Sequence, residues 1–408
     1  MSRRAKDLSP SRLVLLLCGA EILSMTGFAA YPALLPTLQE EWRLSSSRAG
    51  LISGVFFAGY MAATPLLVGL TDRIDTRRIY LLACLLAAGG SLGFAFFAAG
   101  PTGALFFQAL AGAGLAGTYM PGLRLLTDSF HGSVPSRGVA FYTATFGLGT
   151  SASLLLAGAL QPFGKTWVFA VAAAGPALAA LLVYRNFAPQ TPTPSGAPPG
   201  LLFDFRPVLR NRRAMTYILG YAAHCWELFG LRSWLPAFFA FSLALNAQEG
   251  GFWLGAAALA AWVNLIGPAA SILGNEAAVR HGRRRVILST MFLSGGLSCL
   301  VGFLAGLPIA LVFVLTTLYF LCVMGDSAAL TAGLVAAADP GRKGASMALH
   351  SLFGFGAGFI APLAFGLVID LAGGQDRTFA WGLAFASLGI WSLLNVVFNP
   401  WRGEGENP

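Results

Sequence analysis

Twelve apolar stretches, each long enough to cross a bilayer, constrain this chain more than any other feature. A helix needs about 20 mainly apolar residues to span the hydrocarbon core. The stretches lie at 12–38, 48–70, 77–99, 102–127, 138–160, 166–185, 214–242, 251–274, 284–305, 308–337, 344–371 and 378–398. Only 11% of the 408 residues are charged, whereas soluble proteins carry about 25%. The sequence therefore predicts an all-α integral membrane protein with twelve transmembrane helices.

Lysine and arginine lie mainly in alternate loops between these stretches. With the N-terminus inside, the cytoplasmic segments hold 20 of the 26 basic residues, and Arg43, Arg48, Lys165 and Arg377 lie on the other side. Because basic loops stay in the cytoplasm, we expect a multi-pass protein of the cytoplasmic inner membrane with both termini cytoplasmic. The net charge of +9 thus reflects orientation in the lipid bilayer, and nucleic acid is not expected as a partner.

No cofactor or metal is predicted from the sequence. The five cysteines fall inside apolar runs without a C-x-x-C pair, which argues against a disulfide framework or a structural metal site. The triplet "GKT" (164–166) lacks the first glycine of a phosphate loop, since Ala159 occupies that position. The catalytic pattern H-E-x-x-H is missing as well. We therefore predict that the chain is not an enzyme.

A proline-rich, uncharged stretch, "NFAPQTPTPSGAPPG" (186–200), divides the chain in the middle. Such a composition resists helix formation, and the basic "LLFDFRPVLRNRRAM" (201–215) follows it. The predicted organisation is an N-terminal six-helix bundle at 1–185, a cytoplasmic linker at 186–213 and a C-terminal six-helix bundle at 214–408.

The two halves repeat each other. The stretch "DRIDTRRIYL" after span 2 matches "VRHGRRRVIL" after span 8, "YPALLP" in span 1 matches "LPAFFA" in span 7, and "RGVAFYTATFGLG" matches "KGASMALHSLFGFG". All three matches share an offset of about 205 residues. Many secondary transporters are built from such a duplicated bundle, with the substrate site at the interface of the repeats.

These features together resemble the major facilitator superfamily. The family motif of loop 2–3, G-x-x-x-D-R/K-x-G-x-R-R/K, is similar to "VGLTDRIDTRR" here, although Val68 and Asp75 replace its two glycines. The resemblance implies two pseudo-symmetric bundles that alternately open to each side. It also implies that this loop forms a cytoplasmic gate with the ends of spans 4 and 11. The expected gate residues are Asp72, Arg73, Arg77, Arg78, Asp128 and Arg137.

Two further signatures of the family differ in this chain. Gln108 lies where the span 4 motif R-x-x-x-G-x-G has its arginine, and "FGLGTSASLLLAGAL" in span 5 lacks the Gly-Pro of the antiporter motif. In the family, that arginine is tied to proton coupling and the Gly-Pro to antiport. The second departure favours uptake over antiport.

Seven acidic, basic or histidine side chains lie inside the predicted spans and more than two residues from a span end, where burying a charge is costly and usually functional. They are Glu21, Arg124, His224, Glu227, Arg232, Asp326 and His350. All except His350 fall on spans 1, 4, 7 and 10, which line the central cavity in the family. We therefore predict that the set forms a binding site for substrate and protons. Ion pairs that hold helices together, such as Glu227 with Arg232, are the alternative interpretation.

The residue types suggest separate roles. A carboxyl group beside a histidine suits a proton carrier, and His224 and Glu227 are three residues apart on one helix face. Arginine cannot lose its proton, so Arg124 or Arg232 suits an anionic substrate group. Three aromatic residues are candidates for the cavity lining or, alternatively, for packing between helices: Tyr31, Tyr119 and Trp226.

The predicted function is a monomeric secondary transporter that moves a small polar solute, an organic anion taken up with protons as the coupling ion. One alternative is a proton-driven efflux antiporter for drugs or metabolites, because Glu21, Glu227 and Asp326 suit a cationic compound. A sensor shaped like a transporter, without flux, is the second alternative. Such a sensor would need an added soluble domain or a long tail, and the sequence contains neither.

Overall fold

A computed structural model of the chain describes residues 9–71, 73–129, 136–189, 204–247 and 254–398. These ranges contain sixteen α-helices, two short 3-10 turns and no strand. The helices are α1 (Pro10–Ser24), α2 (Ala30–Trp42), α3 (Ser46–Leu70), α4 (Thr76–Phe97), α5 (Pro101–Asp128), α6 (Ser136–Leu160), α7 (Lys165–Asn186), α8 (Arg206–Arg210), α9 (Arg212–Leu245), α10 (Ala256–Leu265), α11 (Gly267–His281), α12 (Arg283–Val301), α13 (Ile309–Gly325), α14 (Ser327–Ala337), α15 (Lys343–Leu371) and α16 (Thr378–Phe398).

Short polar residues and proline set several helix boundaries. The Asp75 side chain accepts a hydrogen bond from the Arg77 N–H at the start of α4, and Asn211 accepts one from the Ala214 N–H at the start of α9. Such caps satisfy amides that have no partner within the helix. Proline occupies the first turn of α1 and α5, where its missing N–H costs nothing.

Ten helical segments in the described ranges are long and apolar enough to cross a membrane. They match ten of the twelve predicted spans, so the prediction of an all-α membrane protein is confirmed, whereas the full count of twelve is not. The two remaining spans are the first and the fourth. The first is interrupted, and the fourth corresponds to α5, in which glycine, proline, Gln108 and Arg124 lower the apolar content.

The predicted span 12–38 is divided by a turn at residues 25–29 between α1 and α2. Ser153 on α6 bridges this turn, because its hydroxyl donates to the Thr26 carbonyl oxygen at 2.7 Å and accepts from the Ala29 N–H at 2.9 Å. The partners that make the turn tolerable are more than 120 residues away. A hydropathy pattern therefore does not reveal the interruption.

Spans 8 and 10 are also divided, by single residues between α10 and α11 and between α13 and α14. Asp326 lies at the second division. The helix α11 continues to His281, beyond the predicted end at 274, because the loop that we inferred from "VRHGRRR" is partly helical.

The chain forms two compact units. One boundary between them lies in the proline-rich linker, and two others lie at 34/35 and 54/55. The first comprises Met1–Leu34 and Val55–Ser195, and the second comprises Leu35–Gly54 and Gly196–Pro408. In the first unit α4 packs against α5 and α7, and α1 packs against α6 and α7. In the second, α9 packs against α15 and α12 packs against α16. The predicted bundle boundaries at 185 and 214 stay a prediction.

Candidate functional site

A buried histidine–aspartate pair lies inside the second unit. The His224 Nδ1 and Asp326 Oδ1 atoms are 2.8 Å apart, and the two side chains are 1% and 4% exposed. His224 comes from the middle of α9, and Asp326 from the division between α13 and α14. Despite this short distance, neither atom has a hydrogen-bond partner of acceptable geometry within the described ranges. The sequence predicted that both residues are functional, and the fold brings them together.

An aromatic stack extends this pair towards α15. The Tyr221 ring lies on the His224 ring, with centroids 5.5 Å apart, and on the His350 ring, with centroids 3.7 Å apart. The Nε2 atom of His350 is 3.4 Å from the Thr331 hydroxyl oxygen. Three helices, α9, α14 and α15, and the division between α13 and α14 thus contribute to one largely buried polar cluster, which we call the His–Asp cluster: Tyr221, His224, Asp326, Thr331 and His350.

Glu227 is buried separately from the His–Asp cluster. Its Oε2 atom accepts hydrogen bonds from the hydroxyls of Ser294 on α12 and Ser392 on α16, at 3.0 and 2.7 Å. Its Oε1 atom has no hydrogen-bond partner among the described residues. Residues three apart on a helix differ by about 60° in direction, which is enough for Glu227 and His224 to contact different helices. The assignment of these two residues to one site stays a prediction.

Arg232 has a third set of neighbours. Its Nε–H donates to the Asn264 Oδ1 atom on α10 at 2.9 Å, and its guanidinium carbon lies 5.7 Å from the centre of the Phe320 ring. The side chain is buried. An amide and an aromatic face both suit a guanidinium that has left water.

Glu21 lies in the interior of the first unit. The Tyr142 hydroxyl is 3.2 Å from its Oε2 atom and is also within reach of the Thr118 and Tyr119 carbonyl oxygens, at 3.2 and 2.9 Å. The Glu21 Oε1 atom has no hydrogen-bond partner in the described part of the chain. Because the tyrosine has one proton, it can serve only one of the three acceptors at a time.

Arg124 lies beside the loop that the sequence assigns to the gate. Its Nη1–H donates to the Thr71 hydroxyl oxygen at 2.7 Å, and its Nε is 3.5 Å from the Asp128 Oδ2 atom. Thr71 immediately precedes Asp72, which lies outside the described residues. The geometry therefore associates Arg124 with the predicted gate, whereas the sequence suggested substrate binding.

The other predicted gate residues have different environments. The Arg77 Nη2–H donates to the Tyr184 carbonyl oxygen at 2.6 Å, and the guanidinium carbon lies 4.7 Å from the centre of the Tyr184 ring. Arg77 thereby ties the start of α4 to the end of α7. Arg73 and Arg78 are exposed. The side chain of Arg137 lies outside the described residues.

The three candidate aromatic residues contact neighbouring helices. Tyr31 is fully buried and meets Phe94 edge-to-face with centroids 6.2 Å apart. Tyr119 stacks on Tyr142 at 5.9 Å. The Trp226 indole N–H donates to the Ser387 carbonyl oxygen at 3.2 Å. These contacts favour packing for Tyr31 and Trp226, and they place Tyr119 beside the Glu21 site. Their assignment to a cavity stays a prediction.

The sequence did not identify the polar partners of the buried ionisable groups. These partners are Thr71, Tyr142, Tyr221, Asn264, Ser294, Thr331 and Ser392. Serine, threonine and tyrosine are common in transmembrane helices, so their identity alone gave no signal. Within the described ranges, no group of three or more His, Cys, Asp or Glu side chains is arranged to hold a metal ion.

The chain was compared with known families and curated proteins. The profile of the Major Facilitator Superfamily matches residues 17–279. The human "Protein spinster homolog 1" is 26% identical over 259 residues, which are 58% of this chain and 47% of that protein. "Uncharacterized transporter YgaY" of Escherichia coli O157:H7 is 36% identical over 92 residues, 22% of this chain and 23% of that protein. The matches thus span about half and about a quarter of these relatives.

Solved structures with the same fold extend over nearly the whole chain. A bacterial homologue of the human lysosomal transporter Spinster, in an inward-facing and occupied conformation, has a TM-score of 0.76 at 16% identity and covers 98% of both chains. The nucleoside transporter NupG has a TM-score of 0.70 at 14% identity, covering 97% of this chain and 100% of its own. At these identities the likeness establishes the fold alone.

Proposed function

Because the chain belongs to the Major Facilitator Superfamily, whose members are transporters and not enzymes, we propose that it is a secondary active transporter. It moves a small polar solute through a multi-pass membrane fold by alternating access. We further propose proton-coupled uptake of an organic anion across the cytoplasmic inner membrane, by a monomer with both termini in the cytoplasm. The proton gradient is the energy source, since one charge crossing about 100 mV releases about 2.3 kcal/mol.

The His224–Asp326 pair is the observation that carries this proposal. An ionised group that leaves water without a partner is costly, whereas a close histidine and aspartate can share one proton and exchange it. Their 2.8 Å separation and almost complete burial meet these conditions. The pair also lies where α13 gives way to α14, and divided transmembrane helices are a recurrent location of transporter sites. We assign the coupling proton to this pair.

The proposed anion specificity rests on Arg232. A buried guanidinium keeps its charge and offers several N–H donors in one plane, of which Nε–H contacts Asn264. A carboxylate or phosphate group of the solute would suit this planar group of fixed positive charge. Three buried acids, Glu21, Glu227 and Asp326, support the second candidate, a proton-driven efflux antiporter for cationic compounds.

The test is solute transport by purified protein in proteoliposomes. A panel of radiolabelled carboxylates, phosphate esters and cationic drugs is supplied with and without a pH gradient, inside acidic or outside acidic. We expect an anionic solute to accumulate when the outside is acidic. The Asp326→Asn variant should lose at least about 90% of gradient-driven uptake, since the proton carrier is gone, but it should retain solute exchange at equal pH.

The Glu276→Gln variant is the matched control, because Glu276 pairs with Arg280 on the exposed end of α11 and removing its charge affects no buried group. Uptake by this variant should equal that of the wild type. Full gradient-driven uptake by Asp326→Asn would contradict the assignment of the proton. Accumulation of cationic compounds when the inside is acidic, so that protons leave as the compound enters, would favour the efflux antiporter. The absence of any flux would favour a sensor.

A further inference from the structure

The carboxyl group of Glu21, in the last turn of α1, is surrounded by hydroxyl groups of the first unit. The Ser24 hydroxyl is within range of this carboxyl group and of the Tyr80 hydroxyl on α4. The Ser24 Oγ and Thr118 Oγ1 atoms are 3.3 Å apart, and the Tyr142 hydroxyl contacts Glu21 from α6. All five residues are buried. We call this set the Glu21 cluster: Glu21, Ser24, Tyr80, Thr118 and Tyr142.

The Glu21 cluster has more acceptor lone pairs than donor protons. The Ser24 hydroxyl donates to the Glu21 carbonyl oxygen at 2.8 Å, and the Thr118 hydroxyl donates to the Leu115 carbonyl oxygen at 3.2 Å. Because these protons point to the backbone, the lone pairs of both oxygens remain. The Glu21 Oε1 atom and the Tyr80 hydroxyl have no hydrogen-bond partner of acceptable geometry among the described residues. Buried polar atoms without a partner are costly, so this arrangement suits a positively charged ligand.

The helix α1 ends inside this cluster. Its last residue is Ser24, and the turn that divides the first predicted span follows. The carbonyl end of a helix carries a partial negative charge, and such ends of divided helices coordinate sodium ions or protons in secondary transporters. By contrast, α9 is continuous from Arg212 to Leu245 and has Glu227 in its interior. Of these two buried glutamates, Glu21 is the one at a helix end.

A small cavity adjoins the cluster at Ser24. It is lined by the turn after α1 and by residues of α3, α4, α5 and α7, and Ser91 contributes a second hydroxyl group. Its volume is about 10 Å³, close to what one water molecule requires. Because small hard cations often keep water among their oxygen ligands, the cavity provides room for such a ligand beside the cluster.

We propose that the Glu21 cluster binds one sodium ion. Its five side chains offer oxygen donors, which hard cations prefer to softer ligands. Hydroxyl groups, and no basic side chain in the described ranges, contact the single carboxyl group. One positive charge therefore neutralises the site, whereas Ca²⁺ usually has several carboxylate ligands. When the sodium ion binds, it replaces the carboxyl proton, which leaves to the solvent.

The sodium site is separate from the proposed proton carrier. The Glu21 cluster belongs to the first unit, and the His224–Asp326 pair belongs to the second. The proposal therefore does not rest on the transported solute or on proton coupling. Because sodium binding is measured without a solute, a failure of the uptake assay and a failure of the sodium site are distinguishable.

Equilibrium binding of radiolabelled Na⁺ to the purified full-length chain tests this proposal. The protein is prepared in detergent with choline chloride as the only salt, and the bound radioactivity is measured as the Na⁺ concentration rises at constant ionic strength. We expect saturable binding of one ion per chain. Unlabelled Na⁺ should displace the label, whereas choline should not, because it is much larger than the space beside Ser24.

Two substitutions identify the ligands. Glu21→Gln removes the negative charge with little change of shape and should weaken Na⁺ binding at least about 100-fold, since a direct ligand matters at least as much as its outer neighbours. Tyr80→Phe removes one oxygen and should weaken binding about tenfold. Glu227→Gln is the matched control, because Glu227 is equally buried and also has an Oε1 atom without a hydrogen-bond partner in the described ranges. Its Na⁺ affinity should equal that of the wild type.

The absence of saturable Na⁺ binding by the wild type would overturn the proposal and would leave water as the occupant of the site. Unchanged affinity in Glu21→Gln, or an equal loss in Glu227→Gln, would overturn it as well. Size-exclusion chromatography shows whether each variant is folded, and Tyr80→Phe decides the question if Glu21→Gln is not. In sodium-free buffer we expect Glu21 and Glu227 to respond alike to substitution.

Discussion

The first helix of each unit's repeat buries one glutamate, and the two sites are built alike. Glu21 on α1 and Glu227 on α9 are 206 residues apart, within the spacing of the internal repeat. In each, Oε2 contacts hydroxyl groups and Oε1 has no hydrogen-bond partner in the described ranges. Neither glutamate has a basic partner among those residues. A buried carboxyl group without a counter-charge is tolerated best as the neutral acid.

The two regions differ in what surrounds this shared glutamate. The second unit has the His224–Asp326 pair close to Glu227 in sequence. The positions 206 residues earlier in the first unit are Cys18 and Met120, which form no such pair. The buried glutamate occurs in both repeats and therefore suits a role that both repeats share, such as packing or movement. The His224–Asp326 pair occurs in only one repeat and is the better candidate for proton coupling.

The largest effects are expected when each glutamate side chain is removed in a separate variant, which tests whether the two sites are equivalent. Glu21→Ala and Glu227→Ala should each lower the free energy of unfolding by about 3 kcal/mol, because each leaves a cavity and removes a hydrogen-bond acceptor from the buried interior. Glu21→Gln and Glu227→Gln should cost about 1 kcal/mol each, since shape and one acceptor oxygen remain. Thermal unfolding in detergent, followed with a thiol-reactive dye on buried Cys84 and Cys225, measures both pairs.

The two units are predicted to respond equally. A difference of more than about 2 kcal/mol between the two alanine variants, well beyond the usual spread of such costs, would show that the glutamates are not equivalent. A large loss in the glutamine variants would show that the ionised form is required.

The serine partners of Glu227 allow the contribution of each hydrogen bond in the second unit to be measured separately. Ser392→Ala should lower stability by about 1.5 kcal/mol, because its hydroxyl donates to Glu227 at 2.7 Å. Ser294→Ala should cost about 0.5 kcal/mol, because that hydroxyl lies 3.0 Å from Glu227 and also faces the Met291 carbonyl oxygen at 3.3 Å. The same unfolding assay ranks the two variants. The reverse order would mean that Ser294 is the main donor.

A further effect, smaller than that of Ser392→Ala, concerns the start of α4 in the first unit. Arg77→Ala removes a hydrogen bond to the Tyr184 carbonyl oxygen and a ring contact, and should cost about 1 kcal/mol. Arg78 is exposed in the same helical turn, so Arg78→Ala is the matched control and should cost less than about 0.5 kcal/mol. Equal costs would show that Arg77 does not fix the start of α4.

The fold was largely predictable from the sequence because hydropathy acts locally. Ten predicted spans have helical counterparts of transmembrane length, and proline and short polar residues marked several helix starts. The turn at residues 25–29 was not predictable, because Ser153 on another helix supplies the groups that stabilise it. The division at Asp326 was missed as well, since the surrounding residues are predominantly apolar.

The candidate site was predictable in its members but not in their arrangement. Rarity of charge in the spans identified Glu21, His224, Glu227 and Asp326. Which of them would meet depended on the rotation of each helix about its axis. A change of one residue turns a side chain by 100°, and the partners lie on helices far apart in the chain.

The sequence by itself determined that this protein is helical, crosses the membrane repeatedly and is built from two related halves. The length of the apolar stretches, the distribution of basic residues among the loops and the internal repeat can all be recognised in the linear sequence. Only the tertiary structure decided that His224 meets Asp326, that Arg124 contacts Thr71 and that Asp370 caps α3. These contacts join residues 53 to 324 positions apart, and hydrogen bonds of about 3 Å depend on packing that hydropathy does not encode.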